Sequence, residues 1–445
     1  MTRPGPTLAN PAWRALLIFA LYAYQGLVAG LSLTALPNHY AGLGASPEAI
    51  GGHLAIAALP WALQPLWGPV VDRFGTSPMG RRRAWVVAAM AASLAALSLL
   101  LAVDDAFRTM RPVSLIFMAH SAFAALLDTA ADGMIIDRVP RQGLGRANAW
   151  TRAGFVSGAA LGAGLFGWLL PAHGLATAAA VLLALGALAF LAPLLIREAV
   201  GDAWLPFRPR PAGQAAAGPP ASFRRLVRRL LVSLRRRETL ALLALCVAME
   251  FAVGAFQLRL GLGLIQAAGW DPAALSRLQG GITLASGTLG ALLVGWWSDR
   301  AGPGRALAAL LAASAAAHAA TGALLAAGTA GPWAVALTGG VSPLVFVALA
   351  PAVMQASRGA AAATEFALFM AALNLGGIAG AAASGAVGAG LPPWQVALAA
   401  AAVLGLCATV AARPRLIFRQ RGGAVLQRDG SGDLAASRPG VKPAP

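Results

Sequence analysis

Long apolar runs alternate with short polar turns along nearly the whole chain. A bilayer-spanning helix needs about 20 apolar residues. Runs of that order at 13–36, 47–71, 84–103, 112–137, 146–170, 174–196, 239–265, 272–297, 305–328, 331–356, 362–391 and 393–412 predict twelve spanning helices. The longer runs must tilt or extend past the lipid. The pattern breaks between 197 and 238. Pro206, Pro209, Pro211, Pro219 and Pro220 mark a linker there. Phe223, Leu226, Val227, Leu230, Leu231 and Leu234 then recur at helical spacing, with Arg224, Arg225, Arg228 and Arg229 between them. That pattern predicts an amphipathic helix over 223–237, lying on the inner membrane face with Arg toward anionic lipid headgroups, as a topology anchor or a lipid sensor. The polar stretch after Arg413 reads as a disordered tail.

Four segments follow: a six-helix unit over 1–196, the linker 197–238, a second six-helix unit over 239–412, and the tail 413–445. The predicted fold class is an all-α membrane protein of two pseudo-symmetric six-helix halves. Charge supports the count. With both termini on one side, that side holds 30 of the 34 Lys and Arg residues. Positive charge stays in the cytoplasm, so both ends are expected there, in a bacterial inner membrane. The first run is too long for the apolar region of a cleavable signal and is taken as the first span.

Composition narrows the function. The chain is 58% hydrophobic and 11% charged, against about 25% charged in soluble domains. The net charge of +18 therefore reflects topology and not nucleic-acid binding. Lys442 in the tail is the only lysine, so no phosphate loop of Walker type exists. Cys246 and Cys407 fall in predicted spans and make no metal site. No cofactor and no enzymatic site is expected.

Two loops 227 positions apart repeat one another. Gly68-Pro-Val-Val-Asp72-Arg73 is followed by Arg81, Arg82 and Arg83; Gly295-Trp-Trp-Ser-Asp299-Arg300 is followed by Gly304 and Arg305. Small residues also repeat at four-residue spacing: Gly154, Gly158 and Gly162 in the fifth run, and Gly376, Gly380, Ser384 and Gly388 in the eleventh. Such stripes let backbones approach closely. The charged turn, repeated at half the chain length, resembles the pattern of the major facilitator superfamily. That resemblance implies alternating access around a central cavity lined by spans one, four, seven and ten. It gives the two Asp-Arg turns the role of a cytoplasmic gate.

The first half further resembles the AmpG-type branch, which includes muropeptide permeases, acetyl-CoA carriers and some siderophore permeases. Tyr24-Gln-Gly-Leu-Val-Ala-Gly-Leu-Ser-Leu, Ala58-Leu-Pro-Trp-Ala-Leu-Gln-Pro-Leu-Trp-Gly-Pro-Val-Val-Asp72-Arg73, and Asp128-Thr-Ala-Ala-Asp132 with Pro140-Arg-Gln-Gly-Leu-Gly145 carry it. Gln64 stands where that branch commonly has Lys. Leu127 and Ile135 stand where it has Gln and Arg.

Ionisable groups inside a membrane are costly and mark functional positions by default. Asp128 and Asp132 lie four apart, on one helix face. Two carboxylates so close in low dielectric do not both ionise easily, which suits a proton carrier; a structural hydrogen-bonded pair is the alternative. Glu250 falls near the middle of the seventh run, with Gln257 on the same face and Arg259 further toward the outer side. Either a proton and substrate site or an internal salt bridge would explain them. Tyr22, Tyr24 and Gln25 in the first run are candidates for lining the cavity, and His120 in the fourth for titrating near neutral pH. Arg152 and Glu365, near cytoplasmic ends, read as structural partners.

The sequence thus predicts a monomeric secondary transporter moving a small-molecule substrate with protons, most simply by uptake of a muropeptide- or siderophore-like solute. A drug or metabolite exporter and a non-transporting receptor or scaffold remain open alternatives.

Overall fold

A computed structural model of the chain describes residues 6–74, 77–103, 110–139, 144–204, 228, 232, 234–329, 331–356, 362–387 and 390–413. Nine of the fifteen residues of the amphipathic segment 223–237 fall outside them, as do Gly388, Arg141, Arg358 and the tail after 413.

The described residues are helical nearly throughout. The elements are α1 (Pro11–Gly42), α2 (Pro47–Leu66), α3 (Trp67–Arg73), α4 (Arg83–Ala102), α5 (Met110–Arg138), α6 (Leu144–Leu195), α7 (Arg237–Ala267), α8 (Pro272–Ala285), α9 (Ala291–Ala301), α10 (Pro303–Ala326), α11 (Pro332–Ala356), α12 (Ala362–Ala386) and α13 (Pro393–Ala411). Ten helices among the described residues are long and apolar enough to cross a membrane. Helix starts follow local chemistry. Asn10, Ser46 and Asp271 accept hydrogen bonds from first-turn amides, and Pro11, Pro47 and Pro272 come next. A proline at that position costs no hydrogen bond, because its amide would be unpaired anyway.

α6 reads as one element but is two limbs. A Cβ on Gly158 would meet Ala23 of α1, and one on Gly186 would meet Tyr24, the next residue. Twenty-eight helical residues in a straight line would span roughly 42 Å. The chain must therefore reverse between them, and it does so at Gly174, whose φ of 77° suits glycine. The boundary expected between 170 and 174 is thus a turn without a break in the helix assignment. α1 also extends past the expected 36 to Gly42, through a π-turn at Leu31–Ala35, so Tyr40 lies on it with Tyr22 and Tyr24. The stretch expected as one span over 272–297 is α8 and α9 joined by a π-turn at Ser286–Gly290.

The glycine stripes set the packing. Gly154, Gly158 and Gly162 of α6 lie against the backbone of Phe19, Ala23 and Leu27 of α1, while Gly26 lies against Phe155. Gly376 and Gly380 of α12 lie against Val247 and Phe251 of α7, while Gly254 lies against Gly377. The two contacts are the same contact. Phe19 and Val247, Ala23 and Phe251, and Gly26 and Gly254 each differ by 228 positions. Helices in lipid associate largely through such close backbone approach, since lipid is as apolar as Leu.

Two further contacts tie early helices to late ones: α2 packs on α12, and α6 packs on α8. Gly51 and Gly385 let α2 and α12 meet, and Gly280 lets α8 reach Ala160. Polar groups fasten the same end of the bundle. Asn38 Nδ2 donates to Ser276 Oγ (2.9 Å) and to Gln279 Oε1 (2.7 Å). Gln266 Nε2 donates to the carbonyls of Ala45 (2.9 Å) and Ala41 (3.2 Å). None of these polar residues stood out in the sequence, because single Asn and Gln residues at helix ends are common.

Candidate functional site

α5 carries Asp128 and Asp132 on the face it turns toward α1 and α2. Tyr22 on α1 donates its hydroxyl to Asp132 Oδ1 at 2.5 Å. Gln64, at the end of α2, donates Nε2 to Asp128 Oδ2 at 2.6 Å. Gln25, one turn beyond Tyr22, is within electrostatic reach of Asp128. Its own Nε2 is buried without a hydrogen-bond partner, which is costly unless water or a ligand fills the gap. Both residues are half-buried. Every hydrogen-bond partner described for this pair is electrically neutral.

Gln64 fills the place where the resembled branch commonly has Lys. A Lys there would hold Asp128 as a permanent ion pair. An amide can donate to either protonation state, because a carboxylic acid keeps one oxygen free to accept.

Glu250 occupies the position on α7 that Tyr22 occupies on α1, 228 residues earlier, by the equivalence of the glycine contacts. It too is half-buried. Across from it stands Arg152 of α6, close enough for the two charges to act on each other. No ion pair within 4.0 Å joins them among the described residues. Arg152 lies over the ring of Phe346 of α11, 4.4 Å from its centroid. Its Nε is buried with no hydrogen-bond partner. In the sequence Arg152 reads as a structural partner near a cytoplasmic end. Only packing reveals that it faces Glu250.

Other expected residues go elsewhere. Tyr24 turns into the packing of α1, α4 and α5, where its hydroxyl meets Ser93 Oγ at 2.6 Å and Ser93 Oγ meets His120 Nδ1 at 2.7 Å. All three are buried. Tyr24 and His120 thus form a structural chain separate from Asp128, and the neutral-pH role considered for His120 loses its premise of cavity exposure. Gln257 is exposed, and no hydrogen bond joins it to Glu250. Arg259 is buried where α7 meets α12; it donates to the Ser384 carbonyl at 3.1 Å and feels the charge of Glu48. It thus lies within a helix contact.

The arginines after the first loop also have fixed partners. Arg82 Nε donates to Asp137 of α5 at 3.0 Å, and Arg81 lies 4.0 Å from the same carboxylate. Arg83 is buried and donates to the carbonyls of Pro193, Leu194 and Ala203. Glu198, beyond the end of α6, accepts from the amides of Arg82 (2.8 Å) and Arg83 (3.1 Å) and from Arg138 Nε (2.9 Å). Glu198 carried no sequence signal, being one acid in an Arg-rich linker. The second loop differs: Arg300 is exposed and stacks on Trp296 at 3.9 Å, and Arg305 is exposed. Gly68 lies on α3 with open space around it. The side chains of Asp72, Arg73, Gly295, Asp299 and Glu365 lie outside the described set. No group of three or more His, Cys, Asp or Glu that could hold a metal occurs among the described residues.

Comparison with known proteins is consistent with this architecture. The sequence profile of the Major Facilitator Superfamily matches residues 18–364. A folate-biopterin transporter of Synechocystis sp. (strain ATCC 27184 / PCC 6803 / Kazusa) is 32% identical over 139 residues, covering 30% of this chain and 26% of that protein. The match thus spans about a quarter of that relative's length. Among solved structures, the nucleoside transporter NupG aligns over 90% of this chain and 98% of its own, with a TM-score of 0.62 and 16% identity. A POT family transporter in complex with a thioalcohol-conjugated peptide aligns over 90% and 96%, with a TM-score of 0.66 and 11% identity. These last two likenesses speak for the fold alone.

Proposed function

We propose that this chain, which belongs to the major facilitator superfamily, is a proton-coupled secondary transporter of a small polar organic solute. It is a membrane transporter of the superfamily's type; the coupling, cargo and direction are our reading. So are the twelve spans in two six-helix halves, which follow from counting α6 as two limbs and α8 with α9 as one span. Both termini are placed in the cytoplasm on the charge bias, in an inner membrane.

One observation carries the coupling. Asp128 and Asp132 are half-buried, and the side chains that hydrogen-bond them among the described residues, Gln64 and Tyr22 with Gln25 beside them, are all neutral. Two adjacent carboxyls without a fixed counter-cation favour holding one proton between them. Such a pair can take a proton from one side and release it on the other as the halves rock about a midplane site. The passages resembling AmpG-type permeases favour uptake.

Proteoliposomes enclosing a pH-sensitive dye would test this. The challenges would be biopterin, folate, nucleosides, short peptides, muropeptides, siderophores and drugs in turn. Solute-driven acidification of the lumen is expected with wild type and is lost in Asp128→Asn, while counterflow of the same solute persists. Solute movement with no proton movement in wild type would sink the coupling.

A further inference from the structure

Arg152 is the least explained charge among the described residues. Desolvating a guanidinium is expensive, and buried charges are normally paired. Arg152 makes no hydrogen bond to any described residue. Its Nε is sealed against Phe346 and has no partner. The remainder of the side chain keeps accessible surface. Among the described residues, Glu250 is the acid whose charge acts on it, and it too makes no hydrogen bond or ion pair with any described residue. Two opposite charges inside a protein gain most by closing into contact. These two stand apart on different helices, α6 and α7, and both are only half-buried.

An unclosed pair of this kind fits a third body. Resting on the proposed transport reading, we propose that Arg152 and Glu250 are the two poles of the substrate site, and that the cargo is an organic zwitterion or donor-bearing anion. Its carboxylate or phosphate docks on Arg152, and an N–H group docks on Glu250. The guanidinium supplies parallel N–H donors to a planar or tetrahedral anion. Phe346 holds the guanidinium plane in place through its ring face. The pair carries no net charge, so a solute whose own charges nearly cancel leaves the site balanced. Such a solute also bridges the two halves, because α6 belongs to the first and α7 to the second.

Matched solutes would test the assignment, using the full-length protein in detergent and thermal stabilisation as the readout. The pairs are a dipeptide and its C-terminal amide, a nucleoside and its 5′-monophosphate, and pterin and pterin-6-carboxylate. In at least one pair the anionic member alone is expected to stabilise wild type; the first and third pairs against the second separate carboxylate from phosphate. Arg152→Gln should weaken that member roughly 10- to 100-fold, the worth of one charge-assisted contact. Arg152→Lys should retain part of the affinity, and Glu250→Gln should weaken it separately. Melting of each unliganded variant guards against misfolding. Equal stabilisation by both members, stabilisation by neither in every pair, or unchanged binding in a folded Arg152→Gln overturns the proposal. Proton movement through Asp128 is read independently, so a protein that binds anions at Arg152 without moving protons would refute coupling alone.

Discussion

Replacing Glu198 with Gln tests how the first six helices are joined. The carboxylate is fully buried. One oxygen takes the two amides that open α4, at 2.8 and 3.1 Å, and the other takes Arg138 Nε at 2.9 Å. The amides of a helix's first turn have no carbonyl of their own helix to meet. Gln has one acceptor oxygen. If it faces the amides, its NH2 points at the guanidinium, donor against donor; if it faces Arg138, two backbone amides are left unpaired. Hydrogen bonds to a charged group contribute about 1.5–3 kcal/mol, and neutral ones about 1 kcal/mol. Arg138 is 38% exposed and can rehydrate, so its share is discounted. The two amide bonds then lose roughly 1–2 kcal/mol each and the total is about 3 kcal/mol. For a unit of this size that lowers the melting temperature by about 6–12 °C. Tryptophan fluorescence in detergent would follow it, because Trp204 lies under Arg83 and Arg197 beside this junction. Thiol labelling of buried Cys246 and Cys407 would show whether the later helices melt with the earlier ones. A Glu198→Gln protein melting within about 1 °C of wild type would refute this assignment of Glu198 as the cap and clasp of α4.

Three further outcomes follow from the same geometry. Tyr24→Phe removes one buried hydroxyl contact to Ser93 and should cost about 1 kcal/mol while solute-driven proton flux per folded molecule is unchanged; a lost flux would return Tyr24 to the transport site. Gly158→Val drives a side chain into the Ala23 backbone, so it should abolish accumulation of folded protein or cost about 3 kcal/mol or more. Gly164→Ala, where nothing lies within 4 Å, should be neutral or stabilising by up to about 1 kcal/mol; equal effects of the two on melting would refute the α1–α6 contact. Burial raises the carboxyl of Asp202 above the ordinary value of 3.8, with neighbouring Glu198 adding to the shift. The folded chain then holds that proton to higher pH than the unfolded chain does. Its stabilising contribution is complete below the ordinary carboxylate range and is lost as pH rises through the folded value. Asp202→Asn keeps an acceptor for the Ala199 amide, so its melting temperature should fall less than that of wild type as pH rises from about 4 toward neutral. A steeper fall in the variant would refute the sign.

Much of the bundle was written in one-dimensional pattern. Apolar run lengths pointed to long membrane helices, and ten among the described residues are long and apolar enough to cross a membrane, since lipid imposes one length scale on every helix. The four-residue glycine stripes named the faces on which α1 meets α6 and α7 meets α12, because only glycine permits backbone contact there. The spacing of Asp128 and Asp132 put both on one face of α5. What sequence could not give was partnership between distant segments. Tyr22 and Tyr24 look alike in the chain, yet 3.6 residues per turn send them to opposite sides of α1, one to Asp132 and the other to Ser93. Glu198 became a helix cap only once the chain past α6 folded back onto the start of α4. Arg152 reads as a structural residue near a helix end, and only packing sets it against Phe346 and across from Glu250. Local sequence fixes which face a side chain takes; the fold alone decides what stands opposite, because that depends on chain tens to hundreds of residues away.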